Sequence, residues 1–217
     1  FLTGVSTRSL SLLSKRLIGR KISHTEISRL NGELTQSVEA WRQRDLSKER
    51  IKYLFIDGTN FSMRLKNGVE KVCVLVVIGV TEDGHKLVLA LQAGDKESAS
   101  NWRELFKDLK GRGLNKDSVR LGIMDGLTGL ESVFQDEFPQ AKVQRCQVHV
   151  ARNVLAKVNR THKQAVADGL RSIFYASSKK KSQEFFEEFE GRWEKDFPLE
   201  IVASEASCYR LLAFISL

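Results

Sequence analysis

Between Lys52 and Gln144 the apolar residues change their period along the chain, and that change leaves few folds open. Lys52-Tyr53-Leu54-Phe55-Ile56 is a short apolar run closed by Asp57-Gly58, and residues 72–80 form a second run rich in β-branched side chains. Thr81-Glu82-Asp83-Gly84 is a turn, and residues 86–91 read as a third strand. Runs of this kind bounded by Gly and Asp are strand signals, and the short connections make the three an antiparallel meander. The period then lengthens to that of a helix. Across residues 98–110, Trp102, Leu105, Phe106 and Leu109 share one face, until Gly111-Arg112-Gly113 stops the pattern. Residues 119–124 read as a fourth strand ending at Asp125-Gly126, residues 127–138 as a helix ended by Pro139, and residues 141–144 as a brief fifth strand.

Three strands, helix, strand, helix, strand predicts an α/β chain with a mixed sheet flanked by helices, in the order of the ribonuclease H-like fold. Helical periods lie on both sides of it. Upstream, Leu10, Leu13 and Leu17 recur at helical spacing behind Ser6 or Thr7 as a cap, and Gly19 breaks the run. Ser23-His24-Thr25-Glu26 reads as a capping box opening a second helix, whose stripe is Ile27, Leu30, Leu34, Val38 and Trp41. Two short helices, a turn with Gly and the basic residues Arg16, Arg20, Lys21 and Arg29 suit a helix-turn-helix that touches DNA; plain helical packing suits them equally. Beyond Gln144 the pattern stays helical, with Val150, Val154 and Val158 on one face and Phe174, Phe185, Phe186, Phe189 and Trp193 further on. Lys179-Lys180-Lys181 reads as a solvated connection between helices. The expected organisation is a helical DNA-binding segment over 1–48, a catalytic core over 49–150 and a helical insertion over 151–217.

Charge is unevenly spread. The 217 residues carry 35 Lys and Arg against 27 Asp and Glu, net +8. Of that excess, +5 falls in residues 1–50, +1 in 51–145 and +2 in 146–217. A basic balance favours a polyanionic partner without proving one. With no uninterrupted apolar run near 18 residues, a membrane-spanning helix is excluded. Cys73, Cys146 and Cys208 are odd in number and far apart, which argues against a disulfide scaffold and fits a reducing, cytoplasmic compartment.

Two aspartates occupy equivalent places. Asp57 follows the first strand as Ile56-Asp57-Gly58, and Asp125 follows the fourth as Met124-Asp125-Gly126. If those strands are parallel neighbours, about 5 Å apart, the carboxylates converge at the carboxyl edge of the sheet, where sites gather. Like charges that close repel unless a cation lies between them, and hard oxygen ligands select Mg²⁺ or Mn²⁺. The plainer alternative is that Asp-Gly simply makes turns, as Asp83-Gly84 does. Cys146-Gln147-Val148-His149 is a C-x-x-H whose two ends share a helix face, turned toward the edge that bears Asp125. The second half of a zinc site is missing from the sequence. A buried thiol beside a hydrogen-bonded imidazole explains the spacing as well.

Taken together, Tyr53-Leu54-Phe55-Ile56-Asp57-Gly58-Thr59 and the stretch Leu121-Gly122-Ile123-Met124-Asp125-Gly126-Leu127-Thr128-Gly129-Leu130 resemble the two catalytic blocks of the mutator-type transposases of bacterial insertion sequences. Phe138-Pro139, Gln144-Arg145-Cys146-Gln147-Val148-His149 and Asn153-Val154-Leu155 are similar to the segment that follows in that family. Gly4-Val5-Ser6-Thr7-Arg8 and Ser28-Arg29-Leu30 resemble the region upstream of its core. The resemblance implies a DDE-type recombinase with a ribonuclease H-like core, in which three acidic groups hold two divalent ions about 3.5–4 Å apart. Asp57 and Asp125 match the first two acids, as catalytic and metal-binding residues, and Cys146 and His149 match a signature near the site. It further implies Mg²⁺ or Mn²⁺ as cofactor, and double-stranded DNA as partner, both terminal inverted repeats and target. A homo-oligomer assembled on DNA in the bacterial cytoplasm, at the nucleoid, is expected too. Water attacks first at the element end, and the freed 3′-hydroxyl then attacks target DNA. The family's third acid, a glutamate in a block reading roughly Thr-Thr-Asn-x-Ile-Glu, has no match here, and the setting Ala203-Ser204-Glu205-Ala206 departs from it. The chain is therefore expected to be a fragment truncated at both ends and inactive alone; a DNA-binding remnant or regulator without chemistry is the alternative.

Overall fold

The computed structural model describes residues 7–65, 68–94, 98–127 and 129–194. Five strands form one sheet: β1 (Ile51–Leu65), β2 (Gly68–Thr81), β3 (Lys86–Gly94), β4 (Leu121–Met124) and β5 (Lys142–Arg145). Their spatial order is β3-β2-β1-β4-β5. β1 pairs antiparallel with β2 and β2 with β3, as a meander requires, while β1–β4 and β4–β5 are parallel. The helices α3 (Ala99–Gly111) and α4 (Leu130–Glu137) make the crossovers that parallel strands need. The sheet is mixed and flanked by helices, as the order of apolar periods predicts.

Alternation along β1 divides the sheet into two faces. Leu54 and Ile56 are buried with Leu75, Val77 and Leu89 against α3 and α4, while Phe55, Val88 and Leu91 stay exposed. Leu89 and Ala90 are both buried because the β2–β3 register shifts between Val77 and Ile78, and a bulge turns two successive side chains inward. The core over this face is aromatic. Phe134 and Phe138 stack at 4.9 Å, and Phe106 meets them edge-on at 5.8 and 5.6 Å. Phe134 lies on Gly122 of β4, where a Cβ would sit 2.4 Å from its ring. Each of the four residues of β4 is buried.

β1 is the main departure from the sequence reading. Its apolar run stops at Ile56, but the strand runs on through Asp57-Gly58, which pair with Val76 and Leu75, to Leu65 opposite Gly68. The reason is its partner. β2 offers backbone hydrogen bonds along its whole length, so strand conformation persists after β4 has ended at Met124. Asp57-Gly58 is therefore no turn. The fourth helix also starts later than expected, at Leu130.

At the N-terminus, α1 (Thr7–Ile18) and α2 (His24–Arg42) are joined by a connection held by Ser14, whose Oγ accepts from the Ile22 N–H at 2.9 Å. Ser23 caps α2, accepting from the Glu26 N–H at 3.1 Å. The expected stripe on α2 exists but is not a core: the helix has no buried residue, and Leu30, Leu34 and Val38 are exposed. Ser6 lies outside the described residues. At the other end, α5 (Gln147–Lys157), α6 (Lys163–Phe174) and α7 (Lys179–Trp193) share a second core of Val154, Val158, Val166, Leu170, Ile173, Phe189 and Trp193. Lys179-Lys180-Lys181 is exposed but forms the first turn of α7, because Ser178 accepts from the Lys181 N–H at 3.1 Å and starts the helix there.

One buried charge ties α3 to α4. Glu137, with 8% of its side chain exposed, pairs with Lys110 and, at 3.2 Å, with Arg103, which also holds Asp136 at 2.8 Å. The hydrogen bond from the Lys110 ammonium holds the Glu137 carboxyl below the usual carboxylate range, against the opposing effect of burial. A depressed carboxyl stabilises the fold above its unfolded value, and that stability is lost as pH falls through its lower folded value. Glu137→Gln should therefore cost about 1–2 kcal/mol at neutral pH, since it removes the charged acceptor shared by the part-exposed Lys110 and Arg103. In urea titrations the gap from wild type should close on acidification below the usual carboxylate range. At Gly122, Gly122→Ala should cost about 1–3 kcal/mol by forcing Phe134 off the sheet, measured as a lower urea midpoint at unchanged slope.

Candidate functional site

The parallel pairing of β1 and β4 places the two aspartates together. Ile56 lies opposite Met124 in register, so Asp57 and Asp125 are the next residues on neighbouring strands, about 5 Å apart in backbone spacing. Asp57 sits inside β1 with half of its side chain exposed, held in place on its other edge by Val76 of β2. Asp125 follows the last residue of β4, is partly exposed, and accepts a hydrogen bond from the Gly126 N–H onto its own Oδ1.

The C-x-x-H spans the turn from β5 into α5. Cys146 is the N-cap residue of α5, and its N–H donates to the Met124 carbonyl at 2.8 Å, tying the end of β5 to the end of β4. His149, in the first turn, reaches across to β1: its Nε2 lies 3.8 Å from Asp57 Oδ1. Its Nδ1 is buried with no hydrogen-bond partner among the described residues. The imidazole thus faces Asp57, at the edge that also bears Asp125. Cys146 is a partly buried free thiol.

The glycines after the two aspartates do not serve as turn-makers. Neither Gly58 nor Gly126 is among the described glycines with positive φ. Gly58 is a strand residue opposite Leu75. At Gly126 the flexible tip of the Arg145 side chain takes the space beside the backbone, 2.0 Å from where a Cβ would sit. The contact between Arg145 and Gly126 carries no signal in the sequence.

Two partly exposed carboxylates, one in β1 and one just past the end of the parallel β4, provide hard oxygen donors of the kind that take Mg²⁺ or Mn²⁺. Among the described residues no group of three or more His, Cys, Asp and Glu is arranged to hold a metal ion. Glu205 lies outside those residues, as do Cys208 and Thr128. The basic candidates Arg16, Arg20, Lys21 and Arg29 are exposed on α1, the connection and α2, and the charge of Arg29 is paired with Glu33 one turn on. No helix among the described residues is long and apolar enough to cross a membrane.

Comparison with known proteins bears on this arrangement. Residues 1–217 match the family model described as transposase, Mutator family. The chain is similar to the transposase for insertion sequence element IS905 of Lactococcus lactis, 29% identical over 98% of this chain and 53% of that protein. It is 30% identical to the transposase for insertion sequence element ISRM5 of Rhizobium meliloti, over 100% of this chain and 54% of the relative. For the transposase for insertion sequence element IS6120 of Mycolicibacterium smegmatis the figures are 31% identity, 91% and 61%. The chain spans about half the length of most of these relatives.

Asp57 and Asp125 are both partly exposed, and neither belongs to a core. Asp57→Asn and Asp125→Asn should each leave the urea midpoint of the protein in EDTA unchanged or raised, as removal of a like-charge neighbour does. A drop in midpoint for either variant would mark that carboxylate as structural.

Proposed function

This chain belongs to the Mutator family of transposases, and on that footing we propose that it carries part of the active site of an insertion-sequence transposase acting on double-stranded DNA. The observation that bears most weight is the register Ile56↔Met124, which sets Asp57 beside Asp125 at one edge of the sheet. The strand order β3-β2-β1-β4-β5, with β1 antiparallel to β2 and parallel to β4, supports a ribonuclease H-like core. The capped α2 and its short link to α1 support a helix-turn-helix role for the N-terminal segment, 1–48, ahead of a core over 49–150 and a helical insertion over 151–217.

In this reading Asp57 and Asp125 hold divalent cations, Mg²⁺ or Mn²⁺, two in the complete enzyme. The donor set fits: both groups are accessible carboxylates, and such ions are commonly held by one or two protein carboxylates with the substrate phosphate. Held by Asp57 and Asp125, such ions would supply the Lewis-acid charge that a phosphodiester displacement needs on its attacking and leaving oxygens. The chain's own groups do the rest. β1 and β4 fix the spacing of the carboxylates, and His149 packs beside Asp57 and restricts its orientation. The basic residues of α1 and α2 contact phosphates at the element ends and so set where the site meets the duplex. Cleavage at the element end and joining to target DNA then use the same pair of aspartates. Copies of the protein assembled on DNA in the bacterial cytoplasm bring two ends together.

The test is made in a full-length protein containing this segment. Asp57→Asn and Asp125→Asn should abolish Mg²⁺-dependent cleavage while DNA affinity stays at the wild-type level. Cleavage retained in either variant would refute the site. Mg²⁺ or Mn²⁺ should also raise the Tm of the wild-type chain and not of Asp57→Asn, because a ligand that binds only the folded state stabilises it.

A further inference from the structure

We propose that α5 and its link to α6 form a track for the phosphate backbone of duplex DNA, leading away from the Asp57–Asp125 edge. The proposal rests on the reading of that edge as the place where DNA is cut, and it names the surface on which the duplex flanking the cut lies.

The track shows first as an uneven charge. The excess of +2 in residues 146–217 divides into +4 over 146–167 and −2 over 168–217. Arg152, Lys157, Arg160 and Lys163 carry all of that +4, because the chain contains no Asp or Glu between Glu137 and Asp168. Each of the four is exposed, and none has a carboxylate partner among the described residues. Exposed arginines nearer the N-terminus are neutralised locally instead: Arg29 by Glu33, Arg42 by Glu39 and Arg50 by Glu82. Helix stability does not account for the run either. Lys163 stands in the first turn of α6, where a positive charge opposes the helix dipole and no acidic residue offsets it.

Position ties this run to the site. His149 lies 3.8 Å from Asp57 at the start of α5, and Arg152 follows about one helical turn further along. Val150 and Val154 turn one side of α5 inward, while Val148, Arg152 and Asn153 stay exposed. The helix has 11 residues and is about 16 Å long, close to five base-pair rises of a duplex. Lys157, Arg160 and Lys163 continue the charge through the last turn of α5, the link and the start of α6. The occupant follows from charge complementarity. Both aspartates repel an approaching phosphodiester, and a row of unpaired cations on the adjoining helix offsets that repulsion and draws a polyanion to the edge. Such contacts go to phosphates, so the track orients the duplex without reading its sequence.

Binding in EDTA tests the track apart from the chemistry. The 217-residue chain is titrated from low to moderate salt with a fluorescein-labelled duplex of about 30 random base pairs. Each lost phosphate contact lowers the slope of log affinity against log salt by about 0.9. Arg152→Gln should show that loss, and the triple variant Arg152→Gln/Lys157→Gln/Arg160→Gln should lose about 2–3. Arg152→Lys should keep the wild-type slope because it keeps the charge. The control, Lys179→Gln/Lys180→Gln, removes two exposed cations from the glutamate-rich α7 and should leave the slope nearly unchanged. The basic residues of α1 and α2 are intact in every variant, so the change in slope reports the track alone. Circular dichroism confirms that each variant is folded; if the triple variant fails to fold, Arg160→Gln singly carries the expectation of Arg152→Gln. A wild-type slope in folded Arg152→Gln or in the folded triple variant overturns the proposal. An equal loss per charge in the α7 control also overturns it, since binding would then follow net charge alone. Because no metal or cleavage enters, this failure is distinct from cleavage surviving Asp57→Asn, which overturns the reading of the edge.

Discussion

β1 is shared between two partners of opposite direction, and the arrangement of the site depends on that sharing. On one side it pairs with β2 from Ile51 to Leu65; on the other it pairs with β4 for only four residues, Tyr53 to Ile56. The antiparallel side supplies length and stability, with most of the hydrogen bonds. The parallel side supplies position, because it is the pairing that puts Asp125 next to Asp57. Since the face behind β4 is packed against Phe134 through Gly122, the short strand has no freedom to slip. A slip of one residue would turn the three buried side chains of β4, Leu121, Ile123 and Met124, to the opposite faces.

Much of this was legible in the sequence, and the misses have physical causes. Periods of two and 3.6 residues report burial, so elements with a buried face were found: β2, β3, α3 and the strand part of β4. Strand length beyond a core is not written in that code. Thr59, Asn60, Phe61, Ser62 and Met63 are exposed, and the backbone of β2 keeps them extended. The stripe on α2 shows the reverse error, since apolar spacing marks a face that can be buried without saying that it is. Both aspartates were identified from their strand–Asp–Gly setting, but that setting misstated what the glycines do. Gly58 continues a strand, and Gly126 accommodates an arginine from a neighbouring strand. A contact between residues 19 positions apart leaves no periodic trace.

The C-x-x-H gains meaning from its place between two strands. Cys146 uses its backbone to join β5 to β4, and His149 reaches over β4 to the aspartate on β1. One short segment therefore touches three consecutive strands of the sheet. Spacing alone suggested a shared helix face, but the first of the two residues acts before the helix has begun.

The part of β1 beyond the sheet has a mechanical consequence. Among the described residues β3 supports the hairpin as far as Cys73 opposite Gly94, which is level with Asn60 on β1, and β4 lets go at Ile56. From there to Leu65 and back from Gly68 the two strands form a cantilever about 15 Å long. A beam clamped at one end bends most at its root, and here the root lies at Asn60 and Cys73, three residues along β1 from Asp57. Load applied near the exposed Phe61 and Val69 is therefore taken up at that root, just beyond the strand segment that carries the carboxylate.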